Sequence, residues 1–312
     1  MPLKILYDAN PRDWEAYRTA LPEALEARGF DVHFSRAILP ADADYVVYSP
    51  AGAIHDFTPF TRTKAVISLW AGVEKIVTNQ TLTQPLTRMV DPGLRQGMIE
   101  WVAGHTLRYH LGMDRHFATQ SGDVWEDDII APLAAARTVT ILGLGALGAA
   151  VGQALSSLGF AVTGWSRSPK SIPGLTCLTG EAGLRTALQS AEILILLLPQ
   201  TAETENIINA NTLAQMPKGA RLLNPGRGPL INDADLLAAL DSGHIAHATL
   251  DVFREEPLPK SHPYWAHPNV TVTPHIASAT RPATAAIAAA ETIEAFEDGK
   301  IPPNLVDRQR GY

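Results

Sequence analysis

The sequence predicts an α/β protein built from two doubly wound units with parallel sheets, and three observations lead to it. A β-like run, Thr138 to Leu142, enters Gly143-Leu144-Gly145-Ala146-Leu147-Gly148 and then a segment with Leu147, Val151, Leu155 and Leu158 at helical spacing. The stretch Ile193 to Leu198 is continuously apolar, as a strand of a sheet covered on both faces must be. At 312 residues the chain exceeds the size at which a single core usually stops growing, so two domains are expected.

Taken in order, the first hundred residues alternate strand and helix signals and read as a small α/β unit. Strands are expected at Leu3 to Tyr7, Asp31 to Phe34, Tyr45 to Tyr48 and Ala65 to Ser68, with a helix from Asp13 to Ala27. A helical pattern beginning at Met98-Ile99-Glu100-Trp101-Val102-Ala103 continues past Tyr109 and crosses to the second unit. There, strands are expected at Val139 to Leu142, Ala161 to Trp165, Ile193 to Leu198, Arg221 to Leu223, Ala248 to Val252 and Val270 to Thr273. The alanine-rich stretch Ala283 to Phe296 is a strong helix former after the last strand and is expected to return to the first unit. No internal repeat or low-complexity linker interrupts the pattern, and Pro302-Pro303 marks an extended tail.

Composition narrows the function classes. Hydrophobic residues at 46% and charged residues at 18% describe an ordinary globular protein with ample core. A net charge of −7 argues against a nucleic-acid or membrane-surface partner, so an anionic ligand must be met by local Arg, Lys and helix ends. The single cysteine, Cys177, excludes an intrachain disulfide and a cysteine-based metal site, and no metal is expected. Met1 to Tyr7 enters a strand without a basic leader and apolar signal core, and no apolar stretch reaches the membrane-spanning length, which makes the cytoplasm the expected compartment.

In the glycine run, Gly143 makes the tight turn, Gly145 lets backbone approach a pyrophosphate, and Gly148 lets helix pack on strand. Ala146 and Leu147 open the helix, whose unpaired N–H groups face the phosphates. An NAD site would carry an acidic residue about 20 positions past the run to hold the ribose hydroxyls. Here the strand Phe160 to Trp165 is followed by Ser166-Arg167-Ser168, with Lys170 close behind. A guanidinium flanked by hydroxyls receives a 2′-phosphate through two donors, which favours NADPH over NADH. The competing reading of the same residues is a solvated basic turn.

Three polar residues stand beside expected strand ends, where open α/β sheets collect ligands: Arg227, Glu256 and His275. Arg227 lies in the glycine-bracketed turn Asn224-Pro225-Gly226-Arg227-Gly228 and is suited to a carboxylate and carbonyl. His275 is the natural proton donor for a carbonyl that accepts a hydride. Glu256 is placed to hold that imidazole in its charged form. Each alone is ambiguous; all three behind a dinucleotide fingerprint point to catalysis. Pro199 and Asp251, also at strand ends, join His275 in the expected cofactor set.

These residues resemble the D-2-hydroxyacid dehydrogenase family over nearly the whole chain. The likeness rests on the order of Arg, Glu and His after the fingerprint and on Leu250-Asp251-Val252-Phe253, Glu256-Pro257 and Thr273-Pro274-His275-Ile276-Ala277. Ser68 to Glu74 is similar to the family's substrate loop, which implies that Trp70 and the N–H groups of Ala71, Gly72 and Val73 grip the substrate, together with Arg227 and His275. Gly164 to Ser168, Thr280-Arg281-Pro282 and the ending Val306 to Tyr312 resemble the glyoxylate/hydroxypyruvate reductase A branch, which uses NADPH. The resemblance implies a substrate domain of residues 1–103 plus 284–312, a Rossmann domain of residues 104–283 inserted into it, and a homodimer formed mainly through the cofactor domains.

It further implies NADPH-dependent reduction of glyoxylate and hydroxypyruvate. A dehydrogenase of larger D-2-hydroxy acids is the alternative within enzymes, with Trp70, Met89, Trp101, Trp265 and Arg281 as candidates for setting pocket size. A dinucleotide sensor without turnover is the alternative outside them. One departure stands out: Pro225-Gly226 occupies a turn where many relatives carry a β-branched residue and Ala, and Pro225 offers no backbone donor.

Overall fold

The computed structural model describes residues 2–120, 122, 124–128 and 130–308. Residues 309–312, which carry most of the ending singled out above, lie outside them. The chain divides into two compact units, Met1–Leu94 with Thr280–Tyr312, and Arg95–Ala279.

The first unit opens with β1 (Leu3–Asp8), α1 (Trp14–Glu26), β2 (Val32–Ser35), β3 (Tyr45–Tyr48), β4 (Ala65–Ser68), α2 (Glu74–Val77) and β5 (Leu86–Thr87). Its sheet is parallel in the order β2-β1-β3-β4-β5, the flavodoxin-like arrangement. The central strands β3 and β4 are buried at every position, which is why Tyr-Val-Val-Tyr and Ala-Val-Ile-Ser show no polar alternation. At the far edge, Thr87 of β5 makes an antiparallel bridge with Leu305 of the tail. With two residues, β5 is too short to leave a periodic signature and was not foreseen.

Next, α3 (Pro92–His110) leads into the second unit, followed by α4 (Met113–Gln120), β6 (Thr138–Leu142), α5 (Ala146–Ser157), β7 (Ala161–Ser166), β8 (Leu175–Thr179), α6 (Gly180–Gln189), β9 (Ile193–Leu196), α7 (Ala210–Leu213), β10 (Ala220–Asn224), α8 (Asp233–Asp241), β11 (Ile245–Leu250) and β12 (Val270–Val272). This sheet is also parallel, ordered β12-β11-β10-β9-β6-β7-β8. The order reverses between β6 and β9, the point where such sheets bind ligands. The partly exposed edge strand β8 was missed because Leu-Thr-Cys-Leu-Thr lacks a clean apolar run.

Two expectations shift. Asp251 and Val252 lie beyond β11, which starts at Ile245 rather than Ala248. Leu158 is the C-cap of α5 and half-exposed, so Val151 and Leu155 alone of the last three spaced leucine and valine positions reach the core.

The chain then returns to the first unit as α9 (Pro282–Glu297). Its buried face is mostly alanine, Ala285, Ala286, Ala288, Ala289 and Ala290, so α1 packs closely against it. Arg28, just past α1, holds Glu291 and Glu294 of α9, each at 3.1 Å. The unit boundaries fall ahead of the expected cuts at 103 and 284. Met98 and Val102 already belong to the core of the second unit, while Thr280 and Arg281 donate to Leu69 O and Gly93 O of the first.

Candidate active site

In the second unit the expected site residues stand in the segments that follow the carboxyl ends of the strands. After β6, Gly143 turns with φ of 108°, and a Cβ there would lie 2.4 Å from Leu197 O. A Cβ on Gly148 would lie 1.8 Å from Gly143 O, so the helix seats on the turn only with hydrogen at both positions. Gly145 faces open space, exposed like Ala146 beside it. Ala149 is the first α5 residue whose N–H reaches back to a helical carbonyl, Gly145 O at 2.9 Å. The N–H groups of Ala146, Leu147 and Gly148 therefore end the helix as donors, and the cradle has the shape and polarity of a pyrophosphate site.

At the end of β7, Ser166 is buried and its hydroxyl donates to Ser168 O at 2.8 Å. Its hydroxyl thus shapes the turn, whereas the expectation made it a phosphate donor. Arg167, Ser168 and Lys170 are exposed, and Arg167 O is held by the Thr179 hydroxyl. The Glu203 carboxyl is held below its ordinary value by a hydrogen bond from Thr201 and, to a lesser degree, by Arg167. Pro199, past β9, offers its carbonyl to the Thr204 hydroxyl.

At the end of β10 the buried Asn224 side chain spans the turn, its Oδ1 accepting from Gly226 N–H and its Nδ2 donating to Arg227 O. That bridge compensates for Pro225, which has no N–H to give. Arg227 is half-buried, with Nη1 donating to Gly226 O at 2.7 Å.

Past β11 and β12, two carboxylates frame His275. Asp251, 1% exposed, accepts from the Thr273 hydroxyl at 2.5 Å and from the N–H groups of Ile276 and Ala277 at 2.9 and 2.8 Å; its carbonyl accepts His275 N–H at 2.8 Å. Asp251, expected as a cofactor ligand, is also a staple for the histidine turn, its carboxylate accepting three donors. The staple holds His275 at φ of 55°, a left-handed conformation that a non-glycine residue adopts only under constraint. Glu256 accepts Phe253 N–H at 2.9 Å through one oxygen and meets His275 Nδ1 at 2.7 Å through the other. A carboxylate only accepts, so Nδ1 carries the proton and Nε2 is the nitrogen left for chemistry.

In the first unit, the loop after β4 is tied down by Trp70 N–H to Ser68 Oγ, Met89 N–H to Trp70 O and Thr280 Oγ1 to Leu69 O. Trp70 is 41% exposed. Met89 is core, Trp101 packs at a tilt against the His105 ring, Trp265 donates to Pro259 O and Arg281 donates to Gly93 O, so each of these four has a structural explanation. Among the described residues no cluster of His, Cys, Asp and Glu has the makings of a metal site, and no helix is long and apolar enough to cross a membrane. Sequence reasoning missed the bridging role of Asn224 and the hydroxyl of Thr273; both are polar residues in apolar strand ends, which is the signal that was there to use.

A doubly wound sheet with a dinucleotide turn at its switch point defines a class, the pyridine-nucleotide oxidoreductases. Residues 104–277 match the NAD binding domain of the D-isomer specific 2-hydroxyacid dehydrogenases. A glyoxylate/hydroxypyruvate reductase A of Yersinia enterocolitica is 41% identical over 260 residues, covering 80% of this chain and 82% of the relative. A D-isomer specific 2-hydroxyacid dehydrogenase of Xanthobacter autotrophicus, solved with NADPH, superposes with a TM-score of 0.93 at 38% identity over 100% of both chains. The NADPH-dependent glyoxylate/hydroxypyruvate reductase of Sinorhizobium meliloti, solved with NADP and sulfate, does so with a TM-score of 0.85 at 32% identity over 99% of both. The chain belongs to the D-isomer specific 2-hydroxyacid dehydrogenase family, and the relatives it resembles include its glyoxylate/hydroxypyruvate reductases.

Proposed function

We propose that this protein is an NADPH-dependent reductase of small 2-oxo acids, glyoxylate and hydroxypyruvate first, yielding the 2-hydroxy acids. The observation that carries this reading is the His275–Glu256 pair, 2.7 Å apart at the carboxyl edge of a dinucleotide-binding sheet. NADPH, when bound, supplies the hydride. Gly143, Gly145, Ala146, Leu147 and Gly148 receive its pyrophosphate, and Arg167 with Lys170 receives the 2′-phosphate. His275 gives its Nε2 proton to the carbonyl oxygen, Glu256 orients the imidazole through Nδ1, and Arg227 polarises the carbonyl. The amides of Ala71, Gly72 and Val73 bind the substrate carboxylate. In this reading unit Arg95–Ala279 serves the cofactor and the discontinuous unit serves the substrate.

The same reading makes the enzyme a cytoplasmic homodimer. The free thiol of Cys177 suits a reducing compartment. Phe117, Val124, Trp125, Ile130 and Leu133 are 57–91% exposed along one stretch of the second unit, an apolar surface that suits a second copy. Absorbance assays of NADPH oxidation with glyoxylate, hydroxypyruvate and phenylpyruvate test the activity. Turnover is expected with the two small acids, and turnover confined to phenylpyruvate would replace this reading with the larger-substrate alternative.

A further inference from the structure

Resting on that reading, we propose that Arg88 is a substrate-binding residue whose guanidinium supplies the positive charge for the carboxylate of the 2-oxo acid. Leu86 and Thr87 of β5 are 1% and 0% exposed, and the chain emerges from this buried edge at Arg88. Its backbone is clamped on both sides, Arg88 N–H donating to Asn304 O at 3.0 Å and Asn304 Nδ2 donating to Arg88 O at 2.9 Å. The next residue, Met89, donates its N–H to Trp70 O at 2.9 Å. Arg88 is therefore fixed beside the Trp70–Val73 loop, at the carboxyl ends of the neighbouring strands β4 and β5, where an α/β sheet gathers its ligand.

Its charge is uncompensated. Arg28, Arg108 and Arg137, whose side chains are 21, 22 and 16% exposed, each pair with a carboxylate. Arg88 is half-buried as they are, yet no acidic group pairs with it among the described residues. Burial pushes its pKa below the ordinary arginine value. A guanidinium withdrawn from water without a counter-charge is costly, and sites that keep one keep it for an anion. The adjoining loop carries the same polarity: the N–H groups of Ala71, Gly72 and Val73 find no protein acceptor among the described residues. A planar fork of donors beside three amides complements a carboxylate and rejects a neutral ester or amide.

The test is steady-state kinetics of the parent, Arg88→Gln and Arg88→Lys with glyoxylate and its neutral methyl ester, alongside NADPH affinity from nicotinamide fluorescence. Loss of a charged hydrogen bond predicts a glyoxylate KM raised about tenfold to a hundredfold in Arg88→Gln, with turnover near the parent's. The preference for acid over ester should collapse, NADPH affinity should hold, and Arg88→Lys should recover part of the preference. An Arg88→Gln protein with parental NADPH affinity and parental glyoxylate KM overturns the assignment, as does equal loss toward acid and ester. If Arg88→Gln fails to fold, an unchanged acid-to-ester ratio in Arg88→Lys overturns it instead. A parent that reduces no 2-oxo acid overturns the proposed function itself.

Discussion

At the residue scale, the chemistry rests on how single side chains are held. His275→Gln should lower turnover about a hundredfold to ten-thousandfold, the usual contribution of a positioned general acid, while fluorescence titration finds NADPH binding intact. In Glu256→Gln the negative charge beside Nδ1 is gone and the ring loses its carboxylate partner, so turnover should fall in steady-state assays while NADPH affinity holds. Asp251→Asn keeps the shape but weakens three hydrogen bonds to the His275 turn, so turnover should fall with little change in NADPH affinity. Arg167→Ala should raise the NADPH KM about tenfold to a hundredfold and leave the NADH KM nearly unchanged, a split that steady-state assays with both cofactors report. The Arg, Glu and His were legible because each follows a strand and precedes or follows glycine or proline. The staple made by Asp251 was not, since sequence spacing does not tell which carboxylate folds back onto a neighbouring strand end.

At the scale of elements, long apolar strands and the alanine-rich α9 announced themselves, whereas β5 and β8 did not. A two-residue strand and a half-exposed edge strand gain their stability from neighbours rather than from their own pattern. The packing of α3 on β11 and β12 gives a further prediction. His247 bonds to Thr271 Oγ1 at 2.9 Å, and burial, reinforced by Arg108, pushes its pKa from 6.5 down to about 4. The folded state therefore resists a proton that the unfolded chain accepts. Stability from this group is complete above pH 6.5 and is lost as pH falls through that value toward about 4. Urea denaturation across this window should show the loss, and His247→Gln, which keeps a hydrogen-bonding side chain without the titration, should flatten it.

At the scale of the molecule, two parallel sheets were legible from the alternation of strands and helices, and so was the return of the last helix to the first unit. What the sequence did not disclose is where the chain crosses, because α3 runs without a break from Pro92 to His110 and its glycines, Gly93, Gly97 and Gly104, do not interrupt it at the frontier between cores. Light scattering should give twice the chain mass, with Trp125→Asp shifting the population toward monomer, given that Trp125 is 91% exposed. The closing of α1 by α9 has a consequence for biosynthesis. Residues 95–279 are contiguous and can fold as soon as they emerge from the ribosome. The apolar face of α1, with Tyr17, Leu21, Ala24 and Leu25, must wait for a partner made some 260 residues later. The segment synthesised first is thus completed last, and during translation its uncovered helix is the part of the nascent chain most in need of a chaperone.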